Sequence, residues 1–438
     1  MSRLFFVVLA ALSLTAPGAR AAVDIQEVIS PGGITAWLVE EHQIPFVALE
    51  IRFKGGASLD APGKRGAINL MTGLIEEGAG DLDARGFAQA QESLAARFEF
   101  DVYDDALSVS ARFLTENRDA SVALLKSALN APRFDQDAVD RVRGQVLSII
   151  RSDEKDPNEI ARRAFNARTY GDHPYASSSN GTLESVGGLT RDDILAAHQA
   201  VLTKDKLFVG VVGDITAEEL GALLDDLLGG LPETGAAIPD RAEISFDGGV
   251  EVVPFQTPQS VAIFGHAGIS RDDPDFFPAF VLNTILGAGG FDSRLMTEVR
   301  EKRGLTYGVN SYLASRDLAD LVVGQVASAN DRIAEAIDVI KAEWARIAAE
   351  GVTQDELEVA QTFLTGQYPL RFDGNARIAG ILVGMQTGDL PIDYIATRND
   401  KVWAVTLEDV RRVAARLLDP EMLTFVVVGA PEGLEATN

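Results

Sequence analysis

Residues 190–213 read TRDDILAAHQAVLTKDKLFVGVVG, and residues 406–429 read TLEDVRRVAARLLDPEMLTFVVVG. Each opens on a Thr suited to cap a helix and places acids in the first turn. Each then runs through an amphipathic stretch and closes as a β-branched strand ending in Gly. Thr190 to Gly213 and Thr406 to Gly429 have identical spacing. A second pair, FDQDAVDRVRGQVL at 134–147 and VTQDELEVAQTFL at 352–364, starts helices at a nearly equal offset. Two pairs at one offset imply a duplicated unit. The expected domains are 22–235 and 240–438, joined through PETGAAIPDRAEISF (232–246), a Pro/Gly/Ala stretch with little periodicity.

Outward from these repeats the order of elements is mixed. Trp37–Glu40 and Val47–Lys54 read as strands, the second alternating Val47, Leu49, Ile51 and Phe53 on one face. Helices are expected at 66–77 and about 85–96, then a hairpin of strands 97–103 and 106–114 turning at Asp104-Asp105. The second half repeats the skeleton: strand 260–266, helix 276–287, a Gly-rich turn, helix 293–303, and strands 305–315 and 318–328. Hairpins with grouped helices predict an α+β fold of two homologous domains, each a mainly antiparallel sheet with helices on one face.

The N-terminus has the pattern of an export signal. Arg3 precedes an apolar run, Leu4–Leu14, and Ala19-Arg20-Ala21 supplies a small-x-small cleavage site. The mature chain is expected to begin near Ala22, in a periplasm. The run is too short to span a bilayer, and a retained anchor is the weaker alternative. There is no cysteine, which excludes disulfides, thiolate metal sites and a thiol nucleophile. Net charge is −26, and −28 once Arg3 and Arg20 leave with the signal. So acidic a chain repels nucleic acid and anionic lipid. The charge reads as solubility, with attraction of basic peptides as the sharper alternative.

No catalytic signature is complete. The four histidines, His42, His173, His198 and His266, include no local pair. Each is expected to be an ordinary structural histidine. There is no G-x-S-x-G elbow and no phosphate loop, and Gly287-Ala288-Gly289-Gly290 does not complete G-x-G-x-x-G. It reads as a turn, or alternatively as a peptide-binding loop. Arg300 and Tyr307, seven residues apart in RLMTEVREKRGLTY (294–307), are a permanent cation and a neutral hydroxyl donor. Together they suit a peptide carbonyl and the oxyanion that develops on it. Equally, an Arg in a last helical turn complements the dipole, and a Tyr in a strand packs. Gly304 is placed to end the helix, with Leu305, Tyr307 and Val309 then sharing one strand face.

The longer string SRLxxEVRExxGLxY, with Asp273-Pro274-Asp275 and LNTILGAGGFDSRL, resembles the C-terminal domain of the pitrilysin/insulinase family of zinc peptidases. It is most similar to the shorter, mitochondrial-processing-peptidase-like bacterial branch. FKGGASLDAP, the helix in GKRGAINLMTGLIEEG (63–78), YGDHPY and Gly181-Thr182 extend the likeness through the N-terminal half. The family's helix carries H-x-x-E-H, two zinc-binding His on one face and a Glu that activates water. Here those positions are Asn69, Thr72 and Gly73, and the third ligand's register falls at Ser148–Ile149. Glu154 is out of phase, and Glu76 and Glu77 read as surface charge. The resemblance therefore implies a subunit without zinc of its own. A homologous H-x-x-E-H partner chain would supply zinc and base, and this chain would supply Arg300, Tyr307 and a wall of a chamber for unfolded peptide. The alternatives are a scaffolding protein of the same fold and a peptide-binding module acting alone.

Overall fold

A computed structural model describes residues 24–437. The expected export signal, 1–21, and its cleavage point near Ala21/Ala22 lie outside the described residues. Six strands form a first sheet: β1 (Gln26–Ile29), β2 (Thr35–Glu40), β3 (Phe46–Lys54), β4 (Arg97–Val102), β5 (Ala106–Leu114) and β6 (Leu207–Gly213). Five form a second: β7 (Gly249–Pro254), β8 (Gln259–Ala267), β9 (Val309–Ser315), β10 (Asp320–Ala329) and β11 (Thr424–Gly429). The spatial orders are β1-β2-β6-β3-β5-β4 and β9-β10-β8-β11-β7. Without the edge strand β1 they are one topology, read from opposite ends. In both, one pair is parallel, β2 with β6 and β7 with β11. The others are antiparallel.

The duplication is exact at the ends of the paired central strands. Gly213 lies opposite Val47 and has φ +148°, and Gly429 follows Val428, the partner of Val261, with φ +157°. A Cβ on Gly213 would sit 2.3 Å from the Phe46 carbonyl oxygen, and one on Gly429 2.3 Å from Ser260 Oγ. Only glycine adopts this conformation at such an approach. The helices that lead into these strands start as read. Thr190 and Thr406 each form a reciprocal capping box, with Asp193 and Asp409.

Each half covers one face of its sheet with its own helices. Arg118–Asn130, Arg191–Val201 and Ala217–Leu228 build the first core. Phe276–Asn283, Ile333–Glu350 and Leu407–Leu417 build the second. The opposite faces are closed by exchange. Helix Pro157–Tyr170 packs Ile160, Ala161 and Phe165 against the back of the second sheet. Helix Asn375–Thr387 packs Ala379 and Leu382 against Trp37, Ala48 and Val212 of the first. The approach there is close enough that a Cβ on Gly210 would lie 2.6 Å from the Ala379 carbonyl oxygen.

Some boundaries differ from the reading of the sequence. The helix expected at 66–77 is Ala67–Thr72, followed by turns. Wider, π-type turns occupy Thr284–Ala288, across the end of the helix expected at 276–287, and Met296–Glu301, within the helix expected at 293–303. β9 starts at Val309, not at Leu305. The Thr306 hydroxyl accepts from the Gly308 N–H at 3.0 Å and bonds the Ala327 carbonyl oxygen at 2.7 Å. This local turn displaces the first ladder bonds.

Two histidines sit at the core, His266 fully buried and His198 at its edge, partly exposed. His266 Nε2 accepts from Trp344 Nε1 at 3.0 Å, and its Nδ1 faces the Ala267 carbonyl oxygen at 2.8 Å. The His198 Nε2 lies 2.8 Å from the Leu129 carbonyl oxygen. Burial holds both below the usual 6.5. Exposed His42, against Asp214 and then Glu40, is held above it. Unfolded copies of His198 and His266 protonate near 6.5 and the native ones resist, so their contribution to stability is full above that pH and is lost as pH falls below it.

In an NMR titration His42 is expected to protonate above pH 6.5 and His198 and His266 below it. Protonation of His266 above His42 would contradict the packing described. Gly213→Ala should destabilise by about 2–4 kcal/mol, from a strained backbone and a main-chain clash. Denaturant unfolding measures this, and a loss under about 0.5 kcal/mol, the scale of an ordinary surface change, would overturn it.

Candidate functional site

Helix Ala67–Thr72 is held at its start by Asp60, which accepts from the Gly66 and Ile68 N–H groups at 2.8 and 2.9 Å. Burial pushes the Asp60 carboxyl up, while these amides and Arg65 pull it back. The frame of a functional helix is thus in place, but its ligand positions carry other chemistry. Asn69 Nδ2 donates to Asn180 Oδ1 at 3.2 Å, and Asn180 Nδ2 to Asp153 Oδ2 at 3.3 Å. The buried Thr72 hydroxyl donates back to the Ile68 carbonyl at 2.8 Å. Gly73 faces helix Gln136–Asp153, where Val142 Cγ1 would lie 3.3 Å from an added Cβ. Ser148 and Ile149 are exposed on that helix, and Glu154 follows its last turn in solvent. Glu76 is exposed, and Glu77 pairs with Arg141. Among the described residues no group of three or more His, Asp or Glu is placed to hold a metal ion. The residues at this helix therefore do not fit zinc. The Asn180–Asp153 link was not anticipated, because two residues far apart in sequence supply it.

In the second half, Glu298 organises the segment that carries Arg300 and Tyr307. It accepts from Lys302 at 2.7 Å and Arg303 at 2.8 Å, with Arg346 at 3.4 Å. Burial opposes its charge, but the hydrogen bonds from Lys302 and Arg303 outweigh burial and hold its carboxyl at about 2. Arg294 pairs with both oxygens of Glu356, at 2.6 and 2.8 Å. Gly304 takes φ +60°, as expected of a helix end, and Arg332 grips the carbonyls of Arg303 and Gly304 at 2.8 and 2.9 Å. The turn is pinned from several sides.

This frame leaves Tyr307 in solvent and Arg300 half-buried against Phe291. The guanidinium carbon of Arg300 lies 4.6 Å from the Phe291 ring centre, and Phe291 is itself 64% exposed. Tyr307 is 88% exposed. It does not share a face with Leu305 and Val309, which are buried, because the Thr306 turn rotates it out. Among the described residues no hydrogen bond joins Arg300 to Tyr307. Beside them is a cavity of about 550 Å³. Gly287, Gly290 and Phe291 of the Gly-rich segment form one wall, and Gly308, Asn310 and Tyr312 another. Gly287 is packed against β9, since a Cβ there would meet Ser311 Oγ at 2.3 Å. Phe291 escaped the reading of the sequence because a lone aromatic beside a glycine run gives no periodic signal.

His173 is tied into its loop by hydrogen bonds. His173 Nδ1 accepts from the Tyr175 N–H at 3.2 Å, and Nε2 lies 3.1 Å from the Asp240 carbonyl oxygen. Among the described residues no helix is long and apolar enough to cross a membrane.

Comparison with known proteins agrees with this geometry. Residues 36–183 match the model for insulinase, peptidase family M16, and residues 188–364 the model for the peptidase M16 inactive domain. The non-peptidase homolog YmxG of Helicobacter pylori is 26% identical over 412 residues, covering 94% of this chain and 95% of that one. An uncharacterized zinc protease of Streptomyces coelicolor is 26% identical over 378 residues, covering 83% and 80%. The crystal structure of a peptidase M16 inactive domain from Pseudomonas fluorescens superposes with a TM-score of 0.87 at 28% identity, covering 94% of this chain and all of that one. A protease from Helicobacter pylori shares the fold, with a TM-score of 0.83 at 17% identity, covering 93% and all of that chain. With both halves matched and the metal-binding residues replaced, the chain belongs to the insulinase peptidase family, M16, as a member without the catalytic metal site.

Proposed function

We propose that this chain is the zinc-free subunit of an exported, heterodimeric M16 peptidase. Its two domains, 22–235 and 240–438, form one half of a chamber. A homologous H-x-x-E-H chain closes the other half and brings zinc, its ligands and the general base. Zinc there supplies an activated water and polarises the scissile carbonyl. Arg300 and Tyr307 reach into that site, bind the carbonyl of an unfolded peptide and stabilise its oxyanion. The carrying observation is the pair itself. Neighbouring Arg294 and Arg303 are spent on carboxylates, whereas Arg300 rests on an exposed ring and Tyr307 stands in solvent beside a cavity. Export to a periplasm rests on the N-terminal pattern of charge, apolar run and small residues. The acidic surface favours neither nucleic acid nor membrane as a partner.

A second reading, a non-catalytic scaffold or a peptide-binding protein, draws support from the relative named as a non-peptidase homolog. A scaffold would tolerate Arg300→Ala, whereas peptide turnover would not.

Metal analysis of the isolated chain should find no stoichiometric zinc, and one tightly bound zinc per chain would refute the proposal. Mixed with its zinc-bearing partner, the Arg300→Ala and Tyr307→Phe forms should each lose about 10²-fold in peptide turnover, the scale of one oxyanion donor. Turnover near wild type in both would remove their catalytic role.

A further inference from the structure

A second, larger cavity lies away from Arg300 and Tyr307 and is independent of the proposal above. Its volume is about 710 Å³, within the range of roughly 300–1,000 Å³ typical of small-ligand sites. It opens between helices Phe276–Asn283, Asn375–Thr387 and Tyr394–Trp403 and the segment Tyr368–Arg371. Its walls are aromatic, chiefly Phe276, Phe280, Tyr368 and Tyr394. Four arginines line it as well: Arg398, which is buried, and Arg271, Arg371 and Arg377, which are exposed to solvent.

That concentration of cations runs against the composition, with 39 basic residues to 65 acidic in the whole chain. Two part-buried arginines elsewhere are matched by carboxylates, Arg294 by Glu356 and Arg316 by Asp104. Here, among the described residues, none of the four has an ion pair. Arg398 is 5% exposed, its Nη1 donating to the Leu364 carbonyl at 2.7 Å and Asn399 Oδ1 at 2.9 Å. Its guanidinium carbon lies 4.5 Å from the Tyr368 ring centre. Arg271 donates to the Tyr394 hydroxyl at 2.9 Å and sits 5.0 Å from the Phe276 ring centre. The one carboxylate on the wall, Asp317, is engaged by Lys54 at 3.4 Å. Burial first, and the charge of Arg371 besides, disfavour the charged form of Arg398. A buried cation without a counterion is costly, and a bound anion removes that cost.

The geometry points to a binding site for a small organic anion, a carboxylate or a phosphate monoester on an apolar or aromatic body. Its charge sits among Arg371, Arg377 and Arg398, and its body lies against Phe280 and Tyr368. Guanidinium forks suit both oxyanions, and ring faces suit the apolar part. The site bridges the halves of the molecule. Helix Asn375–Thr387 lines it and also covers the first sheet, and Lys54 of β3 donates to the Thr387 carbonyl at 3.4 Å.

Calorimetric titration of the full chain tests this with two matched pairs of probes, octanoate against octanol and phenyl phosphate against phenol. At least one anion is expected to bind more tightly than its neutral partner, and the tighter anion identifies the class. The Arg371→Gln/Arg377→Gln variant should weaken that anion by about tenfold or more, the scale of a charged hydrogen bond. Gly384→Leu provides a second check. Gly384 lines the cavity, and a Cβ there meets nothing within 4 Å, so the larger side chain fills the space without disturbing the helix. It should block the anion and leave the thermal unfolding midpoint unlowered. Neither anion binding, neutral probes binding equally, or full binding by both variants would each overturn the assignment.

Discussion

The whole arrangement depends on the need to cover both faces of two sheets at once. LFVGVVG in β6 and TFVVVG in β11 do not alternate, and every residue of β11 is buried. A strand apolar on both sides needs a packed layer on each. Each half makes only one such layer for itself. The other comes from its neighbour, as helix Pro157–Tyr170 on the second sheet and helix Asn375–Thr387 on the first. A polar seam ties the same halves together. Arg316, at the tip of one hairpin, meets Asp104 at the tip of the other, with its guanidinium carbon 3.5 Å from the Tyr175 ring centre. The ion pair joins the two hairpin tips, and the apolar exchange adds hydrophobic adhesion.

Against this frame, the loss of the metal site is local. Asp60 still fixes the helix that would carry the ligands, and the capping boxes and the glycines at the strand ends are intact. What changed is the chemistry on one helix face: an amide bonded to an amide, a hydroxyl turned to its own backbone, and a glycine against a valine. The opposite is true around Arg300. There Glu298, Arg332 and Thr306 hold a short turn firmly, with Tyr307 in solvent and Arg300 half-buried against Phe291.

The sequence carried the duplication, because capping boxes and glycine-ended strands are local signals. Thr190 with Asp193 and Thr406 with Asp409 are each three residues apart. The lack of any histidine pair with ligand spacing is likewise a local signal. The crossing helices were not legible, because amphipathicity shows that a helix has a buried face and not which sheet receives it. Tyr307 was misplaced for a smaller reason. Strand alternation was continued through Thr306, whose hydroxyl breaks the ladder. Phe291 and the arginine-lined cavity were invisible because tertiary packing alone brings Arg271, Arg371 and Arg398 together.

The crossing of helices also sets an order of events in biosynthesis. The rear of the first sheet stays wet until the ribosome has added Asn375–Thr387, long after Gly213 has emerged. A nascent N-terminal half thus presents a sticky, unfinished slab to its surroundings. Collapse of the complete polypeptide at one time avoids that exposure. A gene split between the repeats would yield two pieces, each with one sheet face uncovered, rather than two finished domains.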